Sequence, residues 1–234
     1  MFKLLDYRYV FRAIAYISRF FFYFLRSLKN NIKIMISNNI NNFYLPNLSV
    51  KNVIKIDPTK IKYRNSIPMK YKKKSTPFIL NFSWDENNKL LTEFEDKDHT
   101  YITCRELFVE GLAIEKCKEF FFFKEQISKL GKIKNCKNDD EIILYFKELI
   151  NVFKNIEKNG VKLNIENNIE FMIDRNYNLV KINGGNHRFF IARILKLKSI
   201  PVEIKVIHSN CVNKENTNIR DLNNFIKKIE LNYK

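Results

Sequence analysis

The chain has 234 residues, 45% of them hydrophobic and 14% aromatic, and a formal net charge of +17. That length and apolar content support one domain with its own core and exclude a disordered chain. Four cysteines with no C-x-x-C pair and only three histidines argue against a structural zinc site, and the wide cysteine spacing suits unpaired thiols in a reducing cytoplasm.

The charge is uneven along the chain. Residues 1–74 hold 16 Lys and Arg against two acids, while the remaining 160 residues hold 26 against 23. The excess therefore belongs to the N-terminal third and points to a polyanionic partner there, a membrane surface or a nucleic acid. Residues 7–29, without Pro or Gly, read as a helix with Arg8, Arg12, Arg19 and Arg26 forming a basic stripe. Its uncharged runs are too short to span a bilayer, and no cleavage-site pattern follows. A cationic, aromatic-rich amphipathic helix fits a membrane interface, and it fits packing on the domain or on a second copy equally. Residues 1–45 are thus expected to be a basic helix with an Asn-rich linker, and the protein to be cytoplasmic with a peripheral membrane contact as one option.

The main domain is expected over residues 46–212. VIKI at 53–56 reads as a strand. Lys60, Lys62, Arg64, Lys70, Lys72, Lys73 and Lys74 follow as a basic run with Tyr63 and Tyr71 between them. Such a run suits a solvated loop, a nucleic acid or a nucleotide's phosphates. FILNFSWDENNKLL at 78–91 reads as a strand and turn. A helical insert is expected over about 99–140, opening with one helix from Thr103 to Phe123 whose four phenylalanines at 120–123 read as core. Gly131 marks a break. A helix from Glu141 to Asn159 follows, with Asp139 and Asp140 at its capping region and Gly160 ending it. The stretch Met172–Lys181 reads as a hairpin in which Asp174 shapes the turn. Residues 213–234 end in a helix from Ile219 to Asn232.

The most informative segment is KINGGNHRFFIARILKLKSIPVEIKVI at 181–207, read as strand, glycine turn, helix, loop and strand. Gly184 and Gly185 permit a tight bend and a close backbone approach to a ligand. Asn186, His187 and Arg188 then occupy the first helical turn, where free N–H groups and the helix dipole favour an anion. Arg188 adds a fork suited to phosphate oxygens, and His187 suits donation to such an oxygen, protonation of a leaving group, or capping of the loop.

Gly185, His187, Arg188, Ala192, Leu195, Ile200, Pro201 and Val202 together resemble the signature of the ParB/sulfiredoxin superfamily. The VIKIDPTKI entry at 53–61, the helix ending in Gly160 and the hairpin before Lys181 extend that resemblance over residues 50–208, interrupted by the insert. It implies an α+β fold with a small mixed sheet and flanking helices. It also implies a nucleoside triphosphate, ATP or CTP, bound with Mg2+ at Gly184, Gly185, Asn186, His187 and Arg188. Asn186 stands where sulfiredoxins carry their nucleophilic cysteine, which argues against that chemistry. Only 27 residues follow Ile207, too few for the DNA-reading and dimerisation domains of partition proteins. A small-molecule kinase branch would need a base, for which Asp57, Asp85, Glu86, Glu110 and Asp174 are candidates. Asp57, after the first core strand, leads them, with His187 as its partner in catalysis. Three functions remain open: a phosphotransferase or NTPase with an unknown acceptor, a non-enzymatic nucleotide-switched module, and a DNA-binding protein or nuclease.

Overall fold

The computed structural model describes residues 42–44, 52–66, 78–80, 83–95, 97–163, 168–212 and 219–234. The expected helix at 7–29 and the lysines at 70 and 72–74 lie outside them. The fold is mixed α+β: one mixed sheet, helices packed on it, and a helical insert with its own apolar centre.

The sheet is organised around its longest strand. The strands are β1 (Asn42–Tyr44), β2 (Val53–Ile56), β3 (Tyr63–Arg64), β4 (Phe78–Leu80), β5 (Lys89–Leu90), β6 (Glu170–Ile173), β7 (Leu179–Lys181) and β8 (Ile200–His208). They run in the order β1-β4-β8-β6-β7-β3-β5, with β2 also paired to β8. β8 carries β2 antiparallel on its first half and β4 parallel on its second, and it pairs with parallel β6. Flanked in this way it is buried along nearly its whole length, as its run of Val and Ile requires. Pro201 lacks a donor, yet it costs no ladder bond. N–H groups alternate sides along a strand, Glu203 N reaches Ile169 O on the β6 side, and Pro201 therefore faces the same side beyond the first paired residue of β6.

Asp174 builds the expected β6–β7 turn: its carboxylate accepts from Asn176 N at 2.9 Å and Asn178 N at 2.8 Å. The turn brings left-handed Tyr177 (φ 65°) to the surface.

The helices are α1 (Thr92–Glu95), α2 (His99–Phe108), α3 (Lys118–Leu130), α4 (Asp139–Asn159), α5 (Asn186–Ile194) and α6 (Ile219–Asn232). α4 starts on an Asn138 side-chain cap and ends at Gly160, φ 68°. α6 lays Leu222, Ile226 and Ile229, one stripe at helical spacing, into the main core. Near its end, Tyr233 takes Asp57 N on its carbonyl oxygen and Leu179 N on its hydroxyl, which joins α6 to the sheet.

The single helix expected from Thr103 to Phe123 is two. α2 ends at Phe108, Gly111 adopts φ +66°, and α3 begins at Lys118, whose N–H donates to the Glu106 carboxylate at 2.9 Å. The reversal is driven by packing. It turns Phe120 and Phe123 onto Ile142 and Phe146 of α4, whereas a continuous helix would carry them past it. The phenylalanine run splits accordingly, Phe123 fully buried and Phe121 59% exposed. All four cysteines are buried and free.

Arg64 departs from a solvated basic loop. Its guanidinium pairs with Asp98 and lies 4.5 Å over the Phe94 ring.

Candidate functional site

The bend after β7 is organised from inside. The Lys181 side chain is buried, and its ammonium donates to the carbonyls of Ile182 and Gly184 and to the side-chain oxygen of Asn186. Three donors meet three acceptors, so residues 182–186 are wound around one cation. Burial pushes the Lys181 pKa down to about 7, and the Glu170 carboxylate acts against that shift.

The two glycines have a steric cause. Gly185 adopts φ +65°, and a Cβ on it would lie 2.9 Å from Ile169 Cα and 3.0 Å from Asn168 O. A Cβ on Gly184 would lie 2.4 Å from Cγ of Glu170. The close approach expected towards a ligand is thus made towards the chain's own β6.

The consequence is a helix start held at the rim of an open cavity of about 530 Å³. Gly185, Asn186, His187 and Arg188 line it from α5, as does Asn183 just before the bend. α4 contributes Tyr145, Glu148, Leu149 and Val152, one helical face by spacing, while Thr100 and Lys134 join from the insert. Among the described residues the N–H groups of Asn186, His187 and Arg188 have no backbone acceptor, and α5 has no side-chain cap. The Arg188 guanidinium nitrogen Nη2 is buried without a hydrogen-bond partner. Burial lowers the Arg188 pKa from its ordinary value without removing the charge.

A chain of polar contacts runs from the insert to this rim. Thr103 donates its hydroxyl to buried Glu119, and Lys134 Nζ lies 3.2 Å from the other Glu119 oxygen. Lys134 also donates to the Tyr145 hydroxyl at 2.9 Å, and that oxygen is 3.3 Å from His187 Nε2. Burial lowers the His187 pKa, and the Lys134 cation lowers it further. Burial alone would lower Lys134 too, but the Glu119 charge and the Tyr145 hydrogen bond outweigh it and raise the ammonium. Burial raises the Tyr145 phenol.

Of the residues nominated from sequence, Gly185, Asn186, His187 and Arg188 share the cavity, with Gly184 in the bend behind them. Asp57 does not join them. Its carboxylate caps its own turn, taking Thr59 N at 2.8 Å and the Thr59 hydroxyl at 2.6 Å. The adjoining Pro58 carbonyl is bound by Arg193, so Asp57 belongs to the carboxyl end of α5, roughly 10 Å along the helix from the cavity. Asp85 is occupied by the Arg175 guanidinium and backbone, Glu86 faces the same arginine, Glu110 pairs with Arg105, and Asp174 holds its turn. His208 is buried, accepting from Asn210 N, and His99 stacks on Phe122.

Sequence reasoning missed Lys134, Tyr145, Glu148 and Lys181. The four α4 residues of the cavity recur at i, i+3, i+4 and i+7, a face that could have been singled out. Lys134 has a subtler signal. It and Asn135 have φ of 44° and 68° and form a two-residue turn closed by Ile133 and Cys136, a site where Asn is favoured and Lys is strained. Comparison with family models, with curated proteins and with solved structures found no match.

Proposed function

We propose that this chain binds a nucleoside triphosphate, ATP or CTP, with its phosphates at the amino end of α5. The observation that carries the reading is Arg188, a residue lining the open cavity whose Nη2 is buried and unpartnered, beside a helix start with free N–H groups. A buried donor without an acceptor is costly, and a phosphate oxygen would supply the missing acceptor. Leu149 and Val152 offer apolar surface for the rest of the ligand. The resemblance to ParB/sulfiredoxin-like proteins supports the same ligand and the same fold family.

Mg2+ would arrive with the nucleotide, ligated mainly by phosphate and water, and Glu148 is the carboxylate on the cavity wall. Once bound, the metal would neutralise phosphate charge. The chain's own groups would bind and orient: the α5 amides and Arg188 grip oxygens, and Lys181 keeps the bend in shape. Isothermal titration of the full chain with ATP and CTP, each with Mg2+, tests the proposal. A folded protein showing no heat at millimolar nucleotide ends it.

One observation favours a switch over phosphoryl transfer. Each of the five carboxylates nominated as a base is held elsewhere by a structural partner. A non-enzymatic module, with residues 1–74 engaging an anionic membrane or a nucleic acid, is therefore the second reading. Product analysis after incubation with labelled ATP separates the two: release of phosphate at catalytic turnover would sink the switch.

A further inference from the structure

We propose that Tyr145, held by Lys134, locks the His187 imidazole with its only N–H at Nδ1, which makes His187 a neutral hydrogen-bond donor for an anionic oxygen in the cavity and not a general base. The identity of that oxygen, a phosphoryl group, rests on the nucleotide reading above; the state of the ring does not.

Among the described residues the Tyr145 hydroxyl has two partners, Lys134 Nζ at 2.9 Å and His187 Nε2 at 3.3 Å. A lysine ammonium only donates, so it fills a lone pair of the phenol oxygen. The phenol proton is left with a single acceptor, Nε2. A bare Nε2 accepts the hydrogen bond from that proton, and in a neutral ring the other proton then sits on Nδ1. The chain starts upstream of Lys134. Glu119 is buried, is held by the Thr103 hydroxyl, and sets the ammonium on the phenol. Lys134 is presented by a turn with two consecutive left-handed residues, a strained delivery of a long cation to one place.

The surrounding charges agree. Lys134 from the turn, Glu119 from α3, Asp98 ahead of α2, Glu148 from α4 and Arg188 from the same helix are the charged groups near the ring. Burial first and Lys134 second disfavour the imidazolium, while Glu119 and Asp98 act against them more weakly. A ring that resists protonation and whose Nε2 is occupied is a poor acid and a poor base. It retains one useful capacity, donation from Nδ1.

The test reads the ring directly, in the full-length protein without ligand. Long-range proton–nitrogen NMR of histidine-labelled protein distinguishes the two neutral tautomers, and the signals lost in His187→Gln assign His187 among the three histidines. The expected result at pH 7.5 is a His187 ring protonated at Nδ1. Tyr145→Phe, which keeps the ring packed against Phe123 and Phe146, is expected to move the population towards Nε2–H. Lys134→Asn, a residue suited to the left-handed turn, is expected to raise the His187 pKa towards the ordinary value of about 6.5 or beyond. A wild-type ring protonated at Nε2 overturns the proposal, as does a tautomer ratio unchanged by Tyr145→Phe or a pKa unmoved by Lys134→Asn. If Tyr145→Phe fails to fold, the wild-type spectrum and the lysine variant still decide. Titrating ATP with Mg2+ into the same sample tests the nucleotide reading separately. A His187 signal that ignores nucleotide counts against the ligand and leaves the tautomer result in place.

Discussion

Asp98 and Arg64 join the insert to the sheet. One Asp98 oxygen caps α2 by accepting from Thr100 N at 2.9 Å, and the other meets the Arg64 guanidinium from β3. Both side chains are largely out of water, at 13% and 14% exposure. The cap and the ion pair can therefore be separated by substitution. Asp98→Asn keeps a capping oxygen but leaves the Arg64 guanidinium uncompensated, and is expected to cost about 3 kcal/mol. Asp98→Ala loses the helix cap as well, and is expected to cost about 1 kcal/mol more than Asp98→Asn. Urea unfolding of the two variants checks the order.

The same carboxylate sets an acid limit. Burial would raise the Asp98 pKa, but the Arg64 hydrogen bond and charge, with the two amides, outweigh it and lower the pKa below 3.8. A depressed carboxylate contributes stability that is fully present above its unfolded pKa and is lost as pH falls through its folded one. The melting temperature of the wild type should therefore fall below about pH 4 more steeply than that of Asp98→Asn. Thermal melts between pH 6 and pH 2.5 measure the difference; parallel curves would remove Asp98 from the acid limb.

Lys181→Met removes the three donors around which the 182–186 bend is wound. It is expected to cost about 2–4 kcal/mol, because three acceptors lose their partner at a buried position. Hydrogen exchange should speed up at the amides of residues 183–187 more than in β8. Uniform acceleration across the sheet would show that the bend is held by something other than this ammonium.

The glycines should differ in sensitivity. Gly184→Ala meets the Glu170 side chain, which can swing at the expense of its contact with Lys205, 3.8 Å away. Gly185→Ala meets backbone and also carries a left-handed φ. An expected loss of about 1–2 kcal/mol for the first and at least about 3 for the second follows from strain and overpacking. Equal losses in denaturant unfolding would contradict the steric account.

Arg188→Met tests stability against function. The substitution removes a buried nitrogen that has no partner, so stability is expected to hold or rise by about 1 kcal/mol. Nucleotide affinity should fall about tenfold or more, the scale of a lost charge-assisted hydrogen bond. An arginine that merely packs would show the reverse, with lower stability and unaltered affinity.

Periodicity exposed much of this arrangement. The strands at 53–56 and 200–207, the helix at 219–232 and the Gly160 terminus were legible because each is fixed by local spacing or by one special φ. The glycine–Asn–His–Arg turn stood out as a helix start for the same reason. The break at Gly111 was illegible, since Thr103–Phe123 has helix-forming sequence throughout and only the demand of Phe123 for a partner on α4 divides it. The role of Asp57 was misplaced because sequence gives the order of β2 and α5 and not which end of the helix faces the strand. Tyr145, held by Lys134, reaches His187 across 42 positions, a relation that no window along the chain contains.

Among the described residues the domain has three apolar centres, two against the sheet and one inside the insert, and the cavity draws its walls from both the larger sheet centre and the insert. A guest seated there would touch both bodies at once and act as a clasp. Its affinity and the tightness with which the insert sits on the sheet would then be reciprocal quantities, so that loosening either apolar centre weakens capture, and capture stiffens both.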